Sequence, residues 1–295
     1  MTAKQEPSVF RPFVWSLFAV LALAPSASAA SDARAPGEGD AQAKAAPLTI
    51  GDTFGVFSKA LDETRRINVY LPQGYAEHPE AKLPVLYMPD GGIGEDFLHV
   101  AGLLQVSIGN GTMRPFILVG IENTQRRRDL TGPTSREEDR KIAPVVGGSA
   151  AFRRFLREEL MPEIARRYRV TDETAIVGES LAGLFVIETL LLEPDLFDTY
   201  VAFDPSLWWD GGRLVDETTT RLKRHGVGNV KLSLATSDEP TILAPTGRFI
   251  EMLERDAPEG LQWRYDAMPE EKHWTVYHPA ALRAFRSVFA PVEHP

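Results

Sequence analysis

The chain has 295 residues, a net charge of −9 at neutral pH and no cysteine. This length suits one α/β domain of roughly 200–250 residues with a full hydrophobic core. The acidic balance argues against nucleic acid as a partner. The lack of cysteine excludes disulfides, a thiol nucleophile and cysteine-ligated zinc.

The N-terminus has the pattern of an export signal. Lys4 and Arg11 precede an apolar run over residues 13–24, and small residues follow at 27–29. The run is too short to span a bilayer comfortably, so we favour a signal peptide over residues 1–29 rather than an uncleaved anchor. We therefore expect a periplasmic or secreted protein with no stable membrane association after cleavage.

Residues 30–47 lack hydrophobic periodicity and are predicted to be a flexible leader, and residues 48–295 form the predicted catalytic domain. In that domain short apolar strands alternate with helical patterns. Strands are predicted at 53–58, 66–71, 84–88, 116–121, just before residue 178, and at 200–203, 230–235 and 262–267. Helices are predicted at 97–107, 149–168, from the turn after residue 178 to 192, and at 246–255 and 278–289. The first two strands form an antiparallel pair, and the remaining pattern indicates a mostly parallel sheet with helices on both faces.

One strand-to-helix turn carries a possible nucleophile. The apolar run 174–177 ends in Gly178-Glu179-Ser180-Leu181-Ala182-Gly183, and a helical pattern starts at once. This is typical of the nucleophile elbow of α/β hydrolases, in which a serine hydroxyl stands above the sheet edge. We therefore predict an α/β-hydrolase fold with Ser180 as nucleophile. A plain glycine-rich turn is the alternative.

The base is sought after the serine, since α/β hydrolases order their triad as serine, acid, histidine. His273 lies in a polar loop just past the last predicted strand, where it can fold back over the sheet edge. His278 precedes Pro279 and is expected to open the final helix as a capping or packing residue. We favour His273 as the base.

The acid is expected after the strand at 230–235. Asp238 and Glu239 follow that strand, and either carboxylate could hold the imidazole in its productive tautomer. We lean to Glu239, because it lies further from the strand end. A solvated turn at these residues is the alternative.

An oxyanion hole needs two N–H donors. The residue after the nucleophile, Leu181, is one expected donor. The other is expected from Gly91 or Gly92, in the loop after the strand at 84–88. An ordinary glycine turn is the alternative reading of that loop.

Several segments together resemble the esterase D-like family of α/β hydrolases. They are the elbow, residues 85–92, 121–124, 128–131 and 204–209, and His273. The family includes siderophore esterases, and the chain is most similar to that branch. The resemblance covers residues 50–290 and implies a carboxylic-ester hydrolase with nucleophile Ser180, base His273 and no cofactor. We expect no metal site.

Two groups of residues are candidates for substrate binding. Arg126 and Arg128 lie after the strand at 116–121, and arginine forks suit carboxylate or catecholate oxygens. Trp208 and Trp209 follow the strand at 200–203 and could form an aromatic wall for an acyl or aryl group. The alternatives are arginines paired with nearby acids and tryptophans packed beneath the loops.

The expected reaction is hydrolysis of a small-molecule ester through an acyl-enzyme. An acyltransferase would use the same residues and pass the acyl group to an alcohol. A non-catalytic module on a hydrolase scaffold would bind a ligand without reacting.

Overall fold

An eight-stranded sheet organises the chain in this computed structural model, which describes residues 45–291 apart from the side chain of His225. The predicted signal peptide and most of the predicted leader lie outside these residues. Both remain predictions from the sequence.

The sheet has the order β1-β2-β4-β3-β5-β6-β7-β8. The strands are β1 (Asp52–Ser58), β2 (Glu63–Tyr70), β3 (Leu83–Pro89), β4 (Ile117–Ile121), β5 (Val170–Glu179), β6 (Thr199–Phe203), β7 (Val230–Thr236) and β8 (Leu261–Ala267). The pairs β1–β2 and β2–β4 are antiparallel, and the other neighbours are parallel. The predicted fold class, a mostly parallel α/β-hydrolase sheet, is confirmed.

Helices cover both faces of this sheet. They are α1 (Phe97–Gly109), α2 (Arg126–Asp129), α3 (Glu137–Ile142), α4 (Ser149–Phe155), α5 (Met161–Arg167), α6 (Leu181–Leu192), α7 (Arg213–Asp216), α8 (Thr218–His225), α9 (Pro240–Asp256) and α10 (Tyr277–Val288). Because successive strand side chains point to opposite faces, β3 contributes to two cores. Val85 and Tyr87 pack with α4, α5 and α6, whereas Leu86 and Met88 pack with α1 and α10. No helix within residues 45–291 combines the length and apolar character needed to cross a bilayer.

Two of the predicted helices differ in course or start from those in the structure, and the short helices α2, α3 and α7 are not among the predicted ones. The predicted helix 149–168 is interrupted by a π-helical segment, Leu156–Leu160, between α4 and α5. Helix α9 begins at Pro240 rather than at residue 246, because Glu239 caps its N-terminus and proline suits the first helical position. This earlier start fixes the direction of the Glu239 side chain.

Backbone strain gathers at one edge of the sheet. The residues that follow β3, β5 and β6, three successive strands of the sheet, all have positive φ: Asp90 at 58°, Ser180 at 58° and Asp204 at 41°. Such conformations cost a non-glycine residue roughly 1–3 kcal/mol and cluster at functional sites. This edge, at the carboxyl ends of the strands, is where ligands bind in sheets of this kind.

Candidate active site

The turn at Ser180 has the geometry of a nucleophile elbow, with φ 58° and ψ −118°. Close packing around the turn admits only glycine at two positions. A Cβ on Gly178 would lie 2.6 Å from the carbonyl carbon of Ala182, and one on Gly183 would lie 2.9 Å from the carbonyl oxygen of Phe203. The local sequence therefore forces strand and helix together and holds the serine above the sheet edge.

Ser180 and His273 are brought within hydrogen-bonding distance. The Oγ of Ser180 lies 3.1 Å from Nε2 of His273, and Nδ1 of His273 lies 2.9 Å from Oδ2 of Asp204. When Nδ1 carries the ring proton it donates to Asp204, and Nε2 then accepts from the serine hydroxyl. A serine, an imidazole and a carboxylate aligned in this way can activate the hydroxyl as a nucleophile.

Asp204 is wholly buried at the end of β6. Its Oδ1 accepts a hydrogen bond from the backbone N–H of Ser237 at 2.6 Å, and its Oδ2 accepts one from the Ser237 hydroxyl at 2.6 Å. These two donors hold the carboxylate in place independently of its contact with the imidazole. The hydrogen bond to Asp204 raises the pKa of His273 above its ordinary value, against the opposing effect of burial.

The prediction that Glu239 or Asp238 holds the imidazole is wrong. Glu239 caps α9, where it accepts hydrogen bonds from the N–H and the hydroxyl of Thr241 at 3.2 and 2.9 Å. Asp238 forms an ion pair with Lys272 instead. The chain order of serine, acid and histidine is nevertheless kept, because Asp204 lies between Ser180 and His273 in the sequence. Its position directly after a buried strand was the signal that could have identified it.

A second carboxyl group reaches the same imidazole. Oε1 of Glu179 lies 3.4 Å from Nδ1 of His273. Burial raises the pKa of Glu179 to about 8. The possible ligand atoms of Glu179, Asp204 and His273 all lie within 4.8 Å of one another. Both ring nitrogens of His273 have protein partners, Asp204 at Nδ1 and Ser180 at Nε2.

The three expected oxyanion donors differ in whether their N–H groups are already hydrogen-bonded. The N–H of Leu181 lies in the first turn of α6, where no intrahelical acceptor exists. The choice of Gly91 is wrong, because its N–H donates to the carbonyl oxygen of Ile121 at 3.0 Å. The N–H of Gly92 donates to Oε2 of Glu95 at 2.7 Å. The exposed Glu95 side chain also accepts a hydrogen bond from Nδ2 of Asn123 at 2.9 Å, so the Gly92 donor is free only when this carboxylate leaves both partners.

A cavity of about 660 Å³ opens beside the nucleophile. It is lined by Ser180, Ser206, Trp208, Glu239, Thr241, Ile242, His273 and Trp274. Trp208 thus stands where an aromatic wall was expected. The same expectation for Trp209 is wrong, because that side chain is buried and its Nε1 donates to the carbonyl oxygen of Gly132 at 2.9 Å. Sequence reasoning missed Ser206, whose Oγ lies 3.4 Å from Oγ of Ser180.

The two candidate arginines are already paired within the protein. Arg126 donates two hydrogen bonds to the carboxylate of Asp90, at 2.6 and 2.8 Å. Arg128 binds Glu63 at 2.7 Å and Asp129 at 2.6 Å, and these contacts argue against its expected role in substrate binding. Arg126 remains one-third exposed, so its role in substrate binding stays a prediction.

Known proteins are similar to this chain in sequence or in fold. The chain is 28% identical over 271 residues to the ferri-bacillibactin esterase BesA of Bacillus subtilis, a match that covers 83% of this chain and 92% of that protein. An IroE-like serine hydrolase from Shewanella oneidensis superposes with a TM-score of 0.74 at 30% identity, covering 81% of this chain and 80% of the other. The siderophore hydrolase EstB from Aspergillus nidulans has the same fold, with a TM-score of 0.70 at 21% identity and coverage of 87% and 99%.

The family described as Putative esterase matches residues 58–285, which include Ser180, Asp204 and His273. The chain therefore belongs to the Putative esterase family and is a carboxylic-ester hydrolase of the α/β-hydrolase fold.

Proposed function

We propose that Ser180, His273 and Asp204 form the catalytic triad of this ester hydrolase. The supporting observation is the continuous pair of contacts, 3.1 Å from Oγ of Ser180 to Nε2 of His273 and 2.9 Å from Nδ1 to Asp204. Asp204 makes no contribution to the cavity lining, so its part is to orient the ring and stabilise the imidazolium.

The reaction follows from these contacts. His273 takes the hydroxyl proton as Ser180 attacks the ester carbonyl carbon, and the N–H of Leu181 stabilises the oxyanion. A second donor, the N–H of Gly92, joins when Glu95 withdraws. His273 then returns the proton to the leaving alcohol, and water hydrolyses the acyl-enzyme by the same steps.

The substrates that we propose are siderophore esters. The relative BesA carries the name of a ferri-bacillibactin esterase, and the match spans nearly all of that protein. The cavity beside Ser180 suits a large ligand with aromatic groups, because Trp208, Ile242 and Trp274 supply apolar walls. Its volume of about 660 Å³ lies within the usual range for small-molecule sites.

We further propose that the protein works outside the cytoplasm. The basic, apolar and small-residue pattern of residues 1–29 supports cleavage on export. N-terminal sequencing of the protein recovered from periplasm and medium tests this. An N-terminus near residue 30 supports export, and an intact Met1 in the cytoplasm contradicts it.

Turnover of p-nitrophenyl butyrate and of iron-loaded bacillibactin tests the triad and the substrate class. We expect hydrolysis of both by the wild type and a near-complete loss in Ser180→Ala and His273→Ala. A fluorophosphonate probe should label the wild type but not Ser180→Ala. Hydrolysis of the aryl ester alone would reject the siderophore substrate and keep the triad. No turnover and no labelling would reject the triad and leave a binding module.

Product analysis with added alcohols separates hydrolysis from acyl transfer. We expect free acid as the main product at all alcohol concentrations. A new ester as the main product would identify an acyltransferase.

A further inference from the structure

The imidazole of His273 has two carboxyl groups around one nitrogen. Oδ2 of Asp204 lies 2.9 Å from Nδ1, and Oε1 of Glu179 lies 3.4 Å from the same atom. Glu179 is the last residue of β5 and directly precedes Ser180. Its backbone is thus fixed by the same strained turn that fixes the nucleophile.

The two carboxyl groups differ in what else they bind. Asp204 is wholly buried and accepts two further hydrogen bonds from Ser237. The Oε1 of Glu179 is also buried, but it has no hydrogen-bond partner among the described residues. Buried carboxyl oxygens are rarely left in this state, and Nδ1 of His273 lies 3.4 Å from this one.

Charged and titratable groups surround Glu179 on every side. Asp204 after β6 and Asp90 after β3 disfavour its ionised form, whereas His273 and Arg126 favour it. The hydroxyl of Tyr277, from α10, is buried without a hydrogen-bond partner within residues 45–291; burial raises its pKa, and the negative charges of Asp96, Asp90 and Glu179 add to this effect. Burial is the largest effect and raises the pKa of Glu179 to about 8. Because Oε1 of Glu179 lies 3.4 Å from Nδ1 of His273, the charge on either group affects the protonation of the other.

We propose that Glu179 is a positioning residue that shares the Nδ1 proton of His273 with Asp204, and that its ionisation adjusts how readily the ring accepts the serine proton. The inference builds on the proposed triad. Glu179 touches neither the ester nor the oxyanion in this scheme, and it acts only through the imidazole.

The sign of the effect follows from charge. An ionised Glu179 beside Nδ1 stabilises the imidazolium and so raises the pKa of His273. Glu179→Gln removes that charge while keeping the shape, so the ring should lose its proton at a lower pH. Because the base must be neutral to act, the upper part of the rising limb of kcat/KM against pH, near the pKa of about 8 at which Glu179 ionises, should move to lower pH by about 1 unit. The wild-type limb should show two coupled ionisations and the variant limb only one.

Profiles of kcat/KM for p-nitrophenyl butyrate, from about pH 5 to pH 10, test this on the purified wild type, Glu179→Gln and Asp238→Asn. Asp238→Asn is the matched control, since it removes a nearby negative charge that Lys272 already neutralises. We expect the shift in Glu179→Gln alone. Equal profiles for the wild type and Glu179→Gln would overturn the proposal while leaving the triad intact. NMR titration of the His273 ring compares its pKa in the wild type and in Glu179→Gln without substrate. If no variant turned over substrate, the triad would be refuted, and the role of Glu179 would still be tested by this titration.

A second comparison uses the background Asp204→Asn. If the two carboxyl groups share one proton, Glu179→Gln should cost about tenfold more in kcat in that background than in the wild type. An equal fold loss of kcat from Glu179→Gln in both backgrounds would show that Glu179 does not share the Nδ1 proton. Circular dichroism and thermal unfolding of each variant separate this result from misfolding.

Discussion

Replacing Asp204 by asparagine should remove most of the turnover while keeping the fold and the substrate affinity. Oδ1 of Asp204 accepts from the backbone N–H of Ser237 at 2.6 Å, so the asparagine oxygen should take that place. The amide nitrogen then occupies the position of Oδ2, 2.9 Å from Nδ1 of His273. An NH₂ group can only donate there, which forces the ring proton onto Nε2.

That tautomer directs an N–H at the Ser180 hydroxyl and cannot accept its proton. The loss for a wrong tautomer of this kind is about 10³- to 10⁴-fold in kcat. At 1.36 kcal/mol for each factor of ten, this corresponds to about 4 to 5.4 kcal/mol of transition-state stabilisation. Glu179, 3.4 Å from Nδ1, competes to keep the proton on that nitrogen, so we expect a value near the lower end.

Steady-state hydrolysis of p-nitrophenyl butyrate measures the effect. The fall should appear in kcat with KM changed little, because Asp204 is wholly buried and does not line the substrate cavity. Asp238→Asn serves as the control and should keep kcat within about threefold of the wild type, in the range of a surface substitution. The reasoning would be refuted if Asp204→Asn kept more than a tenth of the wild-type kcat while Glu239→Gln lost a thousandfold.

Three further predictions concern the elbow, the cavity and acid stability. Gly178→Ala should lower the free energy of unfolding by about 1–3 kcal/mol and abolish turnover, because the new Cβ would lie 2.6 Å from Ala182; thermal unfolding and the esterase assay measure both. Trp274→Ala should raise KM for aryl esters roughly 5- to 10-fold but leave the melting temperature unchanged, because the side chain is 82% exposed. Burial would raise the pKa of Glu63, but hydrogen bonds led by Arg128 outweigh it and hold the pKa at about 2. Since the folded pKa lies below the ordinary 4.5, ionisation of Glu63 stabilises the fold. The wild type should therefore have a higher free energy of unfolding than Glu63→Gln above pH 4.5, and this difference should vanish as the pH falls to about 2. Denaturant unfolding at each pH measures it.

Each of these expectations has a contrary result. A stable, active Gly178→Ala would mean that the turn relaxes without cost. An equal rise in KM for acetyl and aryl esters in Trp274→Ala would show that the indole affects folding or access to the site rather than the binding of aromatic groups. A stability difference for Glu63→Gln that persists unchanged at pH 2 would exclude an effect of the carboxylate charge.

Features that depend on near neighbours along the chain can be predicted from the sequence alone. The elbow is of this kind, because Gly178 and Gly183 lie within three residues of the serine that they accommodate. The alternation of apolar strands with helical patterns likewise determined a mostly parallel sheet, because strand and helix periodicities are read over short windows. The position of His273 after the last strand followed from chain order.

Which side chains meet depends on the three-dimensional fold and could not be predicted from the sequence. Asp204 and His273 are 69 residues apart, and their contact depends on how the loops after β6 and β8 point across the sheet edge. Glu239 was the better candidate from position along the chain, yet helix capping turned its carboxylate towards Thr241. The N–H of Gly91 donates to the backbone carbonyl of Ile121, at the end of the neighbouring strand β4. Hydrogen bonds between distant residues are set by side-chain directions at strand ends, and periodicity carries no information about those directions.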